Sequence, residues 1–329
     1  MVRIGITGTG KMARKMAYTL SKMENAECTA VASRSVKKGN MFSEEWEVPK
    51  IYLSVSDMVR DSEIDLIYVA TPHSAHYSAM KMCLEQGKSV ICEKAFTTSY
   101  GQASEIINLA ESKRIFVTEA MWMRYLPVYK VLKDLVGKGV IGMPQYITAD
   151  ICYPINTVPR MLKPSLDGGV LLDIGVYALN FAAMFFEGEP EVITGNAVLT
   201  SRKVDAQENI SLVWQDGKMA ALQASMMGIG SNTAQIVGTK GYIIITDFMN
   251  PTGFLVYDAK GNRKEYNRPV QITGYEYEIA ASIACIMENA LECPEMPHGE
   301  TLKIMRWMDT LRKQFGVEYP DDKKEQDFG

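Results

Sequence analysis

Val2-Arg3-Ile4-Gly5-Ile6-Thr7-Gly8-Thr9-Gly10-Lys11-Met12-Ala13 runs from an apolar, β-rich stretch through a glycine-rich turn into a helix-forming segment. The spacing Gly8-x-Gly10-x-x-Ala13 has a physical reading. Gly8 permits a tight turn, Gly10 lets the backbone approach an anion, and the small Ala13 lets helix and strand pack closely. The first N–H groups of such a helix point at the anion, with the positive end of the macrodipole behind them. The turn is therefore expected to hold a dinucleotide pyrophosphate through Gly8, Thr9, Gly10, Lys11 and Met12.

Outward from that turn the chain alternates strand-like and helix-like runs. Strands are predicted at Val2–Thr7, Glu27–Ala32, Leu66–Ala70, Ser89–Cys92 and Ile115–Thr118. Helices are predicted at Lys11–Met23, Val36–Trp46, Ala75–Gln86 and Tyr100–Ser112. This β-α-β alternation predicts an α/β fold, a Rossmann-type doubly wound parallel sheet over residues 1–120, with ligands at the carboxyl ends of the strands. After residue 120 the pattern changes to strands joined by short turns, at Gln145–Cys152, Glu191–Leu199, Ile210–Trp214, Met219–Ser225, Ala234–Val237, Tyr242–Thr246 and Phe254–Tyr257. Residues 121–329 are thus predicted to form an α+β domain with a mainly antiparallel sheet. Helices are expected at Val170–Phe186, Tyr275–Ala290 and Glu300–Phe315, and a frayed tail over Tyr319–Gly329.

Composition narrows the function. With 329 residues the chain is long enough for two domains, and a formal net charge of −4 without a basic tract disfavours nucleic acid and anionic membrane surfaces. No apolar run comes near the roughly 20 residues that span a bilayer. The start Met-Val-Arg-Ile-Gly reads as a strand and not as a signal peptide, which predicts a cytoplasmic protein. Six cysteines (Cys28, Cys83, Cys92, Cys152, Cys285, Cys293) lack C-x-x-C spacing and read as reduced, mostly core residues. Three histidines stand without a cluster of co-ligands, so no metal site is expected.

Chemistry concentrates just past the strands. Ser33-Arg34-Ser35 stands where an NAD-preferring fold carries an acid for the ribose hydroxyls. Arg34 suits a 2′-phosphate and adenine stacking, the serines suit phosphate oxygens, and Lys37 or Lys38 adds charge; the alternative is a solvated turn. Past Leu66–Ala70 comes Thr71-Pro72-His73-Ser74-Ala75-His76, with Pro72 stopping the strand and two histidines beside the expected nicotinamide pocket. Past Ser89–Cys92 comes Glu93-Lys94-Ala95, where Lys94 is either a surface ion-pair partner or a charge that polarises a substrate oxygen. Asp167-Gly168-Gly169 opens a helix that puts Asp173 and Tyr177 on one face, four residues apart. Buried among apolar neighbours, that face needs a polar partner, and a lysine would serve.

The Gly8–Ala13 turn, the Ala70–His76 loop, Glu93-Lys94 and the Gly168–Tyr177 helix start together resemble the glucose–fructose oxidoreductase / inositol dehydrogenase (Gfo/Idh/MocA) family over nearly the whole chain. Glu119–Pro127 and Asp173–Tyr177 are similar to the branch holding dimeric dihydrodiol dehydrogenases and NADP-dependent xylose dehydrogenases. The resemblance implies NADP, preferred over NAD, contacting Ser33, Arg34, Ser35, Lys38, Thr71, Pro72, His73, His76, Glu93 and Lys94 besides the glycine turn. It implies hydride transfer to or from a sugar or vicinal diol, Tyr177 as general acid/base assisted by Lys94, and Asp173 orienting the lysine or accepting a substrate hydroxyl. His76 and Trp122 would help line the substrate site, and Arg124 is either functional or structural. Residues 121–329 would serve for substrate binding and dimerisation, the large open sheet joining two copies in a homodimer. A glycoside hydrolase with tightly held NAD and a non-catalytic NADP sensor are the rival readings. Two departures stand out. Ala95 replaces the family's usual proline, and since a cis bond before a non-proline residue costs about 3 kcal/mol, a trans bond is expected there. Many relatives carry histidine where this chain has Tyr177, and tyrosine is what the dihydrodiol and xylose branch uses.

Overall fold

A computed structural model describes residues 1–320 and 322; most of the tail expected to fray lies outside the described residues. The chain begins with β1 (Val2–Thr7), α1 (Lys11–Leu20), β2 (Ala26–Ala32), α2 (Val36–Trp46), β3 (Lys50–Tyr52), α3 (Val55–Met58), β4 (Leu66–Val69), α4 (His76–Glu85), β5 (Ser89–Glu93), α5 (Tyr100–Lys113) and β6 (Val117–Ala120). It continues with α6 (Pro127–Gly137), β7 (Pro144–Cys152), α7 (Val176–Phe185), β8 (Val192–Leu199), β9 (Asp205–Val213), β10 (Met219–Ser225), β11 (Ala234–Gly238), β12 (Gly241–Ile245), β13 (Gly253–Asp258), β14 (Arg263–Asn267), α8 (Glu276–Met287) and α9 (His298–Phe315).

Two compact units result, one of Met1–Trp122 with Gln271–Leu302, the other of Met123–Val270 with the residues from Lys303 on. The sequence pattern set a single cut at residue 120, but α8 packs with the first unit. Tyr275, at its start, stacks on Trp122 with ring centroids 4.4 Å apart. His298 Nε2 lies 2.9 Å from the Val117 carbonyl and the Thr301 hydroxyl 3.1 Å from Glu119 Oε2. Helical periodicity marks an apolar face without saying which sheet it will cover.

In the first unit six parallel strands run in the order β3-β2-β1-β4-β5-β6. The strand order reverses between β1 and β4, so the crevice for a ligand opens past Thr7 and Val69. Ile4, Ile6 and all of β4 are fully buried, as expected for strands covered on both faces. Serine side chains cap α2, α3 and α5 through Ser35, Ser54 and Ser99, whereas α1 starts at Gly10 with no side-chain cap. β3 escaped the sequence reading because three residues carry no period. β6 begins at Val117 and not at Ile115, because Arg114 takes a left-handed conformation (φ 58°) and the Ile115 N–H returns to the Ala110 carbonyl at 2.9 Å. Ile115 thus completes the C-cap of α5.

In the second unit eight strands run β14-β13-β12-β11-β7-β10-β9-β8, with β7 and β10 parallel and every other pair antiparallel. Ile147, Ala149 and Ile151 of β7, Leu222 and Ala224 of β10 and Ile210 and Leu212 of β9 are buried on one face, where α7 packs. On the other face the register aligns Val198 with Gln207 and Val192 with Val213, and Val192 and Val198 are exposed. β14 was missed because Arg263-Lys264-Glu265 is polar and mostly exposed at the sheet's edge.

The expectation that no apolar run is long enough to span a bilayer needs correction. The 22-residue stretch Pro164–Phe185 has a window of mean hydropathy 1.5, long and apolar enough to span a bilayer by composition. Its most apolar window is 89% buried inside the protein, which marks a core helix. Four cysteines are buried (Cys83, Cys92, Cys285, Cys293), while Cys28 and Cys152 are half-buried; none of the six is in a disulfide.

Candidate active site

The glycine turn after β1 has the shape its spacing predicts. Gly8 lies at φ +92°, and a Cβ there would stand 3.0 Å from the Ala70 carbonyl, so only glycine fits between β1 and β4. A Cβ on Gly10 would meet nothing within 4 Å, leaving open space before the uncapped first turn of α1. Ala13 is fully buried against the sheet. Beside this turn lies a hollow of about 460 Å³ lined by Thr9, Gly10, Arg14, Ser35, Lys37, Lys38 and Met41. That volume is in the range of small-molecule pockets.

Three of these lining residues are basic and none is acidic. Sequence reading named Lys37 and Lys38 but missed Arg14 and Met41. Arg14 follows Gly10 by one helical turn and so faces the same side, which was the available signal. It pairs with Glu45, outside the lining, and its guanidinium lies 5.9 Å from the Phe42 ring centroid. Arg34 is exposed and is not part of the lining. Ser33 is a turn builder, its hydroxyl donating to the Ser35 carbonyl at 3.0 Å. Ser35 Oγ accepts the Lys38 N–H at 3.4 Å and keeps a hydroxyl proton to donate. An uncapped helix start, open space at Gly10 and acid-free basic walls are features a phosphorylated dinucleotide would fit.

The loop past β4 supplies a further fit. Thr71 Oγ1 is buried with no hydrogen-bond partner. His73 is buried, its ring edge-on to His76 with centroids 5.6 Å apart. His76 is buried with both ring nitrogens 2.9 Å from backbone carbonyls, Nδ1 from Ala95 and Nε2 from Thr71. A neutral imidazole donates to only one of them. Burial pulls its pKa below the ordinary histidine value, while the two carbonyls pull the other way. His76 therefore ties the loop past β4 to the loop past β5.

In the loop past β5, Glu93 is buried and accepts a hydrogen bond from the Tyr68 hydroxyl, and Lys94 is half-buried. The Lys94–Ala95 peptide bond is cis, correcting the expectation of a trans bond. Its neighbours show how the loop is held without proline. The Ala95 carbonyl meets His76, and the Phe96 N–H donates to Glu119 Oε1 at 3.1 Å. Trp122 is buried with one face on Tyr275, and the Lys15 ammonium lies 4.8 Å from the Tyr275 centroid and 5.8 Å from that of Trp122.

In the second unit, Asp173 and Tyr177 are buried on the helical segment that leads into α7. Asp173 meets an arginine that the sequence reading did not name. Arg160 donates to both carboxylate oxygens, at 2.8 and 3.1 Å, a bidentate pair with most of its acid side buried. Nothing in the sequence spacing announced Arg160, which reaches Asp173 from a short helical turn at Pro159–Leu162. Its own carbonyl lies where a Cβ on Gly168 would come within 2.5 Å. Gly169 (φ +121°) likewise leaves room for Asp205, whose Oδ2 accepts the Leu171 N–H at 2.6 Å. Arg124 is buried, with Nε donating to Asn180 Oδ1 at 2.8 Å.

Residues 2–120 match the oxidoreductase family with an NAD-binding Rossmann fold named Gfo/Idh/MocA, and residues 129–244 match the Gfo/Idh/MocA C-terminal domain. The chain is similar to trans-1,2-dihydrobenzene-1,2-diol dehydrogenase of Xenopus laevis, 34% identical over 96% of this chain and 98% of that protein. Its fold is similar to that of KijD10, a 3-ketoreductase from Actinomadura kijaniata solved with NADP and TDP-benzene (TM-score 0.87, 21% identity, 97% of this chain and 99% of that one). It is also similar to the aldose-aldose oxidoreductase of Caulobacter crescentus complexed with glycerol (TM-score 0.86, 20% identity, 95% and 97%). With both family models matched and a relative at that identity along nearly its full length, the chain belongs to the Gfo/Idh/MocA family of NAD(P)-dependent oxidoreductases.

Proposed function

We propose that this oxidoreductase moves a hydride between NADP, in preference to NAD, and a sugar or vicinal-diol carbon. The observation that carries the reading is the uncapped start of α1 opening on a hollow with Arg14, Lys37 and Lys38 in its walls and no acid. The α1 N–H groups would hold the pyrophosphate, the basic walls a 2′-phosphate, and Thr71 Oγ1 a further polar group of the cofactor. When bound, the nicotinamide supplies or accepts the hydride; the protein supplies position and charge. The name of the Xenopus relative supports a diol, and the family resemblance extends the class to sugars.

In oxidation Tyr177 takes the substrate hydroxyl proton, and in reduction it returns that proton to the forming alkoxide. Free tyrosine, with a pKa of about 10, is a weak base at neutral pH, so the reaction needs a charge that favours phenolate. Lys94 is assigned that task. Asp173, held on both oxygens by Arg160, fixes the helix start on which Tyr177 stands. His76 acts through the loops it ties together, and Trp122, braced by Tyr275, is the apolar wall of the substrate site. A reducing, cytoplasmic setting is part of this reading, and cysteines outside any disulfide agree with it.

NADPH formation from NADP, with NAD in parallel, over pentoses, hexoses, polyols and vicinal diols tests the reading. Turnover with NADP on one compound class is the expected result. A blank panel with bound cofactor would replace the enzyme by the sensor reading, and product sugar released without net cofactor reduction would favour the hydrolase.

The second-unit sheet leaves Val192, Val198 and Met219 exposed, with Met227 and Ile229 beside them, and we assign this face to a homodimer contact. Light scattering at micromolar concentration is expected to give twice the chain mass; a monomer would remove the assignment.

A further inference from the structure

Leu171–Gly175 forms a π-helical turn directly before Tyr177. Such turns hold an extra residue per turn and cluster at functional sites. Gly175 within it has ordinary right-handed helical angles (φ −59°, ψ −33°), which any residue adopts, and glycine is a poor helix former. What excludes a side chain is a neighbour. A Cβ on Gly175 would overlap Glu208 Oε1 and lie 3.2 Å from the Glu208 Cδ. Glu208 projects from β9 at 4% exposure, and neither of its carboxyl oxygens has a hydrogen-bond partner. The same strand touches the other end of the turn, where Asp205 accepts the Leu171 N–H and fills the space left by Gly169. β9 thus meets the turn with one carboxyl at each end, and Arg160 grips Asp173 between them.

We infer that Glu208 is a positioning residue for the reaction proposed above, its carboxyl seated in the notch at Gly175 and setting the place of Asp173 and Tyr177. The inference rests on reading Tyr177 as the acid/base group. Burial, with the charge of Asp205 added, pushes the Glu208 carboxyl well above the usual range. Glutamine, neutral and of the same length, reproduces its shape; alanine empties the notch.

Glu208→Ala is expected to lower kcat about 10- to 100-fold, the scale of an ångström-sized misplacement, with the KM for NADP within about 2-fold. Glu208→Gln is expected to keep kcat within about 3-fold, since the contact is steric and glutamine keeps its shape. Gly175→Ala should fall at least as far as Glu208→Ala, and the double variant Gly175→Ala/Glu208→Ala should recover to the level of Glu208→Ala, as coupled sites do. An alanine variant with near-wild-type kcat, or a glutamine variant as damaged as the alanine one, would overturn the assignment. A second readout needs no turnover: tyrosinate absorbance of each variant against its Tyr177→Phe counterpart isolates the Tyr177 titration. That titration is expected to move in Glu208→Ala and not in Glu208→Gln, and an unmoved midpoint in both overturns the inference. A wild-type chain inert on the whole substrate panel with a moved midpoint would instead sink the reaction and leave the positioning contact standing.

Discussion

Tyr177→Phe is expected to lower turnover by about 10²- to 10⁴-fold, the usual contribution of a positioned acid/base group, with NADP affinity unchanged within a few-fold. Phenylalanine keeps the ring that fills the buried start of α7 and removes only the hydroxyl, so the fold is not asked to repack. Lys94→Ala is expected to lower turnover on the same scale, because the phenolate then loses the charge that favours it. The two losses should not add: once the proton-transfer group is gone, the lysine that tunes it has little left to act on. Steady-state kinetics on the active substrate, with cofactor binding followed by NADPH fluorescence, separates the outcomes. Near-wild-type turnover in either single variant would end the assignment. A fall in NADP affinity matching the fall in kcat would move Lys94 from the chemistry to the cofactor.

The residues that carry this argument differ in how far the sequence exposed them. Gly8, Gly10 and Ala13 could be read directly, because the turn's chemistry is local: each demand is set by residues within a few positions or by the adjacent strand. The parallel sheet was equally legible, since a period of two alternating with a period of 3.6 survives in sequence. Arg160, Glu208 and the placement of α8 were not. Arg160 reaches Asp173 across 13 residues of turns, and Glu208 meets Gly175 only because β9 lies under a π-helical turn, which no hydrophobic period encodes. The sequence did hold a trace of that contact. A glycine inside a helical run at position 175 lowers helix propensity, and a glutamate two residues before Ile210, on the face that Ile210 and Leu212 bury, asks for a polar environment. Read singly, each looks like noise; only the fold puts one against the other. At Lys94–Ala95 the local preference for a trans bond led the reading astray.

Cofactor choice is where local and tertiary readings part most usefully, because they name different arginines. From the sequence, Arg34 is the natural partner for a 2′-phosphate; in the fold it is exposed outside the hollow, while Arg14, Lys37 and Lys38 line it. A hydrogen bond to a charged group contributes about 1.5–3 kcal/mol, and solvent exposure of the two lysines reduces that share. Lys37→Ala/Lys38→Ala is therefore expected to weaken NADP binding by about 10-fold, at 1.4 kcal/mol per decade, and NAD binding by less than about 3-fold. Adding Arg14→Ala should weaken NADP further. Arg14 is bound to Glu45, so its removal also frees a carboxylate beside the phosphate site. Arg34→Ala should cost less than the lysine pair, because its exposed side chain stands outside the lining. Salt provides the control. A Debye length of about 3 Å at 1 M ionic strength screens exposed lysines, so the gap between wild type and the lysine variant should narrow with added salt. Titration of both cofactors against all four proteins reads these contrasts together, and a wild-type chain that binds NAD as tightly as NADP would mean that the basic hollow does not choose between them.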